Sequence, residues 1–214
     1  VILEIWGIAI GPLLAGLGLF GAAVALGAQD LFKNLIGGLT IIAEKRFHPG
    51  EWIKVDGVVE GTVEDIGFRS TKVIRFDKAP VHVPNSNLSD AVITNFSRMT
   101  HRRIYWKIGV IYGTNVEQLK TICEGIYDYI IKNEHFAKPP EVSTFVNVDS
   151  FNDSSIDIMI YCFTKTTVWG EWLQIKEDFA CAIKQIVEGA GSEFAFPSQS
   201  LYIEDVSDSA ATKV

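Results

Sequence analysis

Hydrophobic and polar positions fall into three textures along the chain. From Ile5 to Gln29 there is no charged residue. A helix from Pro12 to Gln29 would be about 27 Å long, enough to cross a ~30 Å hydrocarbon core. Gly11-Pro12 marks its start, because proline is tolerated in a first helical turn and disrupts an interior one. Beyond Gln29-Asp30, the residues Leu31, Phe32, Leu35, Ile36, Leu39, Ile42 and Ala43 recur at spacings of three and four. This predicts a second, amphipathic helix, separated from the first by a break at the polar pair.

From Phe47 to Ser97 the pattern shortens to β-rich runs between turns at His48-Pro49-Gly50 and Asp56-Gly57. The runs are Trp52–Val55, Val58–Ile66, Arg69–Phe76, Val81–Pro84 and Ala91–Phe96. Five short strands in this span predict a small SH3-like or Sm-like β-barrel, with Gly61 at a sharp bend. From Arg102 onward the order is β-α-β-β-α-β. The strands are Arg103–Ile111, Val142–Val148, a return strand in which Ile156, Ile158, Ile160 and Cys162 alternate with other residues, and a short last strand, Leu201–Ile203. Thr114 and Glu117 form a predicted capping box for a helix reaching Lys132, striped by Leu119, Ile122, Cys123, Ile126 and Ile130. Trp172, Ile175, Phe179, Ile183 and Ile186 mark the second helix. That order predicts a ferredoxin-like α/β sandwich. The expected organisation is a membrane helix with a bend and amphipathic second half (1–46), an Sm-like β domain (47–98), a ferredoxin-like domain (99–206) and a disordered polar tail (207–214).

The composition of the membrane segment says more than its length. Within Gly16–Ala28, eight of thirteen residues are Gly or Ala. A lone lipid-exposed anchor is normally rich in Leu, Ile and Val, whereas small residues let helix backbones approach closely. Gly16, Gly21, Ala25 and Ala28 repeat at helical spacing, as do Gly18 and Ala22. The segment therefore packs on other helices, either buried among different ones or in a ring of copies around a pore. In a ring with the Ala15, Leu19, Ala22 and Leu26 face inward, Leu19 and Leu26 would form apolar constrictions able to stop ions by dewetting. Asp30, Lys33, Lys45 and Arg46 follow the span, and this Lys/Arg bias places the rest of the chain on the cytoplasmic side.

Charge and candidate chemistry remove several classes. The net charge of −7 argues against a nucleic-acid partner. Cys123, Cys162 and Cys181 are far apart and read as small apolar residues in a reducing compartment, not as a disulfide framework or metal site. His48, His82, His101 and His135 lack ligand spacing, and Glu60, Glu64 and Asp65 read as a solvated edge. No GxSxG, GxxxxGK[ST] or GxGxxG motif is present, so no enzyme, cofactor or metal is expected. Arg98, Arg102, Arg103 and Lys107 form a local basic cluster, read as an ion-pair surface or as a contribution to an ion path. The chain opens at Val1 inside an apolar stretch, as part of a longer protein would.

Taken in order, GLGLFGAAVALGAQDLFKNLIGGL, FHPGEWIKV, GTVEDIGFRSTKV and VHVPNSNL resemble the pore-lining helix and the middle β domain of the small-conductance mechanosensitive channel (MscS-like) family, and the C-terminal α/β order matches as well. The resemblance covers nearly all of Gly16–Ile203. It implies a homoheptamer in the cell inner membrane, with earlier membrane helices in each subunit, a cytoplasmic vestibule, and opening by membrane tension to release ions and small osmolytes in hypoosmotic stress. By position, Leu26 matches a constricting residue, Ala22 the other constriction, Gln29 and Asp30 the helix bend, and Asn34 an asparagine of the second half-helix. Ala22 is smaller than the usual aliphatic residue there, and Asp30 stands where glycine is common. The alternative is a membrane-anchored cytoplasmic binding module without conductance.

Overall fold

A computed structural model describes residues 10–198. The chain divides between Met99 and Thr100 into two compact units. In the first, a long helix, α1 (Ile10–Ala43), leads into β1 (Trp52–Val55), β2 (Val59–Ile66), β3 (Ser70–Ile74), β4 (Pro80–Pro84), a short helix α2 (Asn85–Ser89) and β5 (Thr94–Asn95). A single 3-10 turn, Phe96–Arg98, follows. The strands form one antiparallel sheet in the order β4-β3-β2-β1-β5. The register shifts between Val63 and Asp65 where β2 pairs with β3. At Gly61 a Cβ would collide with the Ile74 carbonyl, so only glycine lets these two strands approach as they do.

The core of this unit joins the sheet to the end of α1. Ile41 and Phe47 pack with Ile53, Val55, Val63, Val73, Val83 and Leu88. Fully burying a side chain of this size contributes roughly 1.5–3 kcal/mol. Ile41 and Phe47 thereby fasten the helix to the sheet it precedes.

The second unit runs β6 (Arg102–Val110), α3 (Val116–Lys132), β7 (Phe145–Phe151), β8 (Ile156–Thr164) and α4 (Trp169–Gly189). Its sheet has the order β6-β8-β7, with both neighbours antiparallel to β8. β6 and β7 are thus parallel strands joined through α3 and separated by β8, a split βαβ unit. Strict alternation along β8 buries Ile156, Ile158, Ile160 and Cys162 under the helices, against Ile122, Ile126 and Ile130 of α3 and Phe179, Ile183 and Val187 of α4.

Several expectations are corrected. One helix passes through Gln29 and Asp30, where two helices and a break are predicted. Neither residue is a helix breaker, and Asn34 donates from Nδ2 to the Asp30 carbonyl one turn back, at 2.8 Å. The Ala91–Phe96 run yields only the two-residue β5, and the predicted Val142–Val148 strand begins at Phe145. Helix α2 lies in a stretch with no strong helical period. The capping box is one residue later than predicted: Asn115 accepts from Gln118 N–H at 2.8 Å while Gln118 accepts from Asn115 N–H at 2.9 Å. Thr114 instead shares a buried hydrogen bond with Ser192 at 2.7 Å. The Leu201–Ile203 strand and the 207–214 tail lie outside the described residues.

Candidate functional site

Helix α1 has two surfaces of different character. From Leu14 to Phe32 its apolar side chains find no cover within the chain: Leu19 is 78% exposed, Leu26 73% and Phe20 71%. A Cβ added at Gly16, Gly18, Gly21 or Gly27 would meet nothing within 4 Å. Ala22, Ala25, Gln29 and Asp30 are exposed too, and Ala28 is half-buried. Leu14–Ala43 is long and apolar enough to cross a membrane. An uncovered apolar surface of this extent is untenable in water and calls for lipid or other helices.

Further along, α1 closes on its own unit. Gly37 and Gly38 are buried, and a Cβ at Gly37 would lie 2.9 Å from the Asn85 carbonyl carbon and 3.0 Å from Ser86 N. A Cβ at Gly38 would lie 2.6 Å from Asn85 Nδ2. These two glycines let the helix touch the start of α2 backbone to backbone. One turn earlier, Asn34 Oδ1 accepts from Ser86 N at 3.1 Å and from Ser86 Oγ at 3.0 Å. Asn85, fully buried, satisfies its polar atoms inside the unit. Its Oδ1 accepts from Thr71 Oγ1 at 2.9 Å and its Nδ2 donates to the Gly67 carbonyl at 2.9 Å. Buried amides are costly unless paired in this way. At the other end of α2, Arg46 Nη1 donates to the carbonyls of Leu88, at 3.1 Å, and Ser89. A guanidinium there satisfies carbonyls left open by the helix end.

The helix is thus free along its first half and clamped along its second. Of the clamp, sequence reasoning singled out only Asn34, by resemblance. Gly37, Gly38, Thr71, Asn85 and Ser86 were missed as a set. Adjacent glycines inside an amphipathic helix were the available signal, since glycine in a helix interior costs about 1 kcal/mol and calls for a packing reason.

The basic residues at 98–107 take separate partners. In the first unit, Arg98 pairs with Glu51 at 3.1 Å and approaches His48 Nδ1 at 3.0 Å. Glu51 also accepts from Asn95 Nδ2 at 2.7 Å and from His48 N at 2.9 Å. Burial by itself raises the Glu51 pKa, but the hydrogen bonds from Arg98, Asn95 and His48 outweigh it and hold the carboxyl at about 2. In the second unit, Arg102 lies over the Trp169 and Trp172 rings, 4.3 and 4.9 Å from their centroids, and donates to the Thr167 carbonyl. Desolvation lowers its pKa from the usual arginine value. Arg103 lies over Tyr105 and Tyr161, and Lys107 pairs with Asp149 at 2.5 Å. Of Glu60, Glu64 and Asp65, Glu64 pairs with Lys72 at 2.5 Å. Among the described residues no group of three His, Cys, Asp or Glu side chains is placed to hold a metal ion.

Comparison with known proteins places this architecture. Residues 30–98 match the family model of the mechanosensitive ion channel β-domain, and residues 104–194 match that of the mechanosensitive ion channel MscS C-terminal region. An uncharacterized MscS family protein of Archaeoglobus fulgidus is 30% identical over 202 residues, covering 94% of this chain and 68% of the relative. The chain belongs to the MscS family. Among other family members it is similar to the low conductance mechanosensitive channel YnaI of Escherichia coli, 40% identical over 204 residues and covering 95% of this chain and 59% of YnaI. The crystal structure of Helicobacter pylori MscS in its closed state superposes with a TM-score of 0.79 at 26% identity, over 95% of this chain and 77% of that one. The chain spans little more than half the length of the curated relatives it first matches, 54% of one from Aquifex aeolicus and 59% of YnaI.

Proposed function

We propose that this MscS family chain is the pore helix and body of a mechanosensitive ion channel that opens under membrane tension and releases ions and small osmolytes in hypoosmotic stress. The observation that carries the reading is the contrast along α1: an apolar, Gly/Ala-rich half with no cover in its own chain, joined to a half clamped on the β sheet. Identical subunits in a ring, a homoheptamer by family resemblance, would supply the missing cover through Gly16, Gly18, Gly21, Ala25 and Ala28, with membrane lipids on the outside. The β sheet of the first unit would be an Sm-like barrel and the second unit a ferredoxin-like sandwich, both cytoplasmic below the inner membrane. No nucleic acid takes part.

In that ring Leu26 is the principal gate, with Leu19 and Ala22 on the same face. On an ideal helix of about 100° per residue, Leu19 and Ala22 fall within about 40° of Leu26. A ring of leucines closes a narrow path by dewetting, and widening lets water in. Tension favours the state of larger in-plane area, because an equilibrium shifts only by a difference between its two states. The Gly/Ala faces let neighbouring helices slide during this change. Gln29 and Asp30 are the hinge: the helix is continuous there, but the pair lies between the uncovered half and the clamp, which is where a tilt of one half against the other must be absorbed.

Two measurements test this. Native mass of the full-length protein in detergent should give seven subunits, and a monomer would contradict the ring. Leu26→Ser should hydrate the constriction and lower the opening threshold, and an unchanged threshold would remove Leu26 from the gate.

A further inference from the structure

Helices α3 and α4 of the second unit lie side by side and antiparallel. Gln118, at the start of α3, donates from Nε2 to the carbonyls of Ala190, at 3.1 Å, and Gly191, at 2.9 Å, where α4 ends. Further along, a Cβ at Gly125 would lie 2.9 Å from Ile186 Cγ2, and the Tyr129 ring stacks on Phe179. These contacts set a register in which Lys120 is level with Glu188, Glu124 with Lys184, and Tyr127 with Ala180. None of these six touches its counterpart within the chain, because each helix turns them away from the other. At about 100° per residue they lie about 100° or more from Gly125 and Tyr129 on α3, or from Phe179 and Ile186 on α4. All six are exposed. Lys184 and Glu188 pair with each other along α4, whereas Lys120 and Glu124 have no ion-pair partner among the described residues.

We propose that these two flanks form a head-to-tail contact between neighbouring copies, the outer flank of α3 on one copy meeting the outer flank of α4 on the next. This rests on the ring reading above and assigns its surface in the second unit. A closed ring of more than two copies needs two different surfaces on each copy. Flanks on opposite sides of a two-helix layer are such a pair. Rotation about an axis along the helices keeps every residue at its own height, so the register within one copy carries over to the contact between copies. There Lys120 faces Glu188, Glu124 faces Lys184, and the Tyr127 ring lies over the small Ala180. Charges of opposite sign meet at both polar positions, and complementary charge fixes register and partner. The pair that Lys184 and Glu188 make along α4 thereby extends to a network of four alternating charges.

The test is crosslinking of the full-length protein in detergent, in a C181S background that removes the exposed native thiol. E124C/K184C treated with a short bifunctional thiol reagent should give a ladder of covalent oligomers up to the whole ring on a denaturing gel. E124C and K184C alone should run as monomers there. Charge reversal gives a second readout. E124K and K184E should each raise the dissociated fraction on dilution by about threefold or more, and E124K/K184E should return close to wild type, because these flanks of one copy do not touch. An assembled ring that yields no ladder would overturn the contact while leaving the ring, and reversals that the double variant fails to rescue would contradict the register. A monomer by native mass would instead remove the ring, and this contact with it.

Discussion

Asn34 Oδ1 accepts two hydrogen bonds from a single residue of the β unit, Ser86, from its N–H at 3.1 Å and its Oγ at 3.0 Å. Because Asn34 also donates to the Asp30 carbonyl, one side chain ties the helix backbone to the start of α2. Asn34→Ala should lower the stability of the first unit by roughly 1–2 kcal/mol, since a net hydrogen bond is worth about 1 kcal/mol and Ser86 N–H is left unpaired. Asn34→Asp, which keeps the acceptor, should lose less. Denaturant titration of the two variants gives the order, and equal losses would show that the acceptor is not what matters.

Gly37 and Gly18 sit in the same helix yet should respond oppositely to added bulk. A Cβ at Gly37 falls 2.9 Å from backbone that cannot step aside, whereas one at Gly18 meets nothing within 4 Å. Gly37→Ala should destabilise the folded subunit by about 1–3 kcal/mol, the usual cost of overpacking. Gly18→Val should leave the subunit's own melting intact and weaken assembly of the full-length protein. Size-exclusion chromatography beside thermal unfolding separates the two effects.

The Glu51 carboxyl links stability to acid. Its folded pKa of about 2 lies below its ordinary value of 4.5, so its contribution is fully present above pH 4.5 and is lost as pH falls towards 2. Glu51→Gln should be less stable than wild type by roughly 1–3 kcal/mol at neutral pH, in the range of hydrogen bonds to a charged group. The gap should shrink between pH 4.5 and 2. Melting temperatures of the two proteins across that window check the sign, and a gap that widens in acid would contradict it.

The three cysteines should differ sharply in reactivity. Cys181 is exposed, burial raises the Cys123 pKa, and burial pushes Cys162 up to about 12. A thiol reagent at pH 7.5 should modify one cysteine rapidly in the native protein and all three after denaturation, since the thiolate is the reactive form. Peptide mapping should place the fast site at Cys181.

Legibility in the sequence followed the range of the interactions that fix each element. The alternation of Ile156, Ile158, Ile160 and Cys162 and the stripe of Ile122, Ile126 and Ile130 were readable because burial against one face imposes a local period. The helix start after Thr114 was misread by one residue because the Thr114 hydroxyl is engaged by Ser192, which is distant in sequence. Helix α2 is five residues long, has no side-chain cap, and is held at its end by Arg46 from the α1 exit. No local pattern announces it. The same holds for the clamp: Thr71, Asn85 and Gly67 meet only once β2, β3 and α2 have converged. The Gly/Ala texture of Gly16–Ala28 was plain, because close helix packing restricts residue size directly.

That α1 lines a tension-gated path is tested most directly by the current across a patch of reconstituted full-length protein under graded suction. Discrete single-channel steps, absent at rest, should appear above a threshold tension, with Leu26→Ser opening at lower suction than wild type. Patches that contain the assembled protein and remain silent up to rupture of the membrane would contradict it.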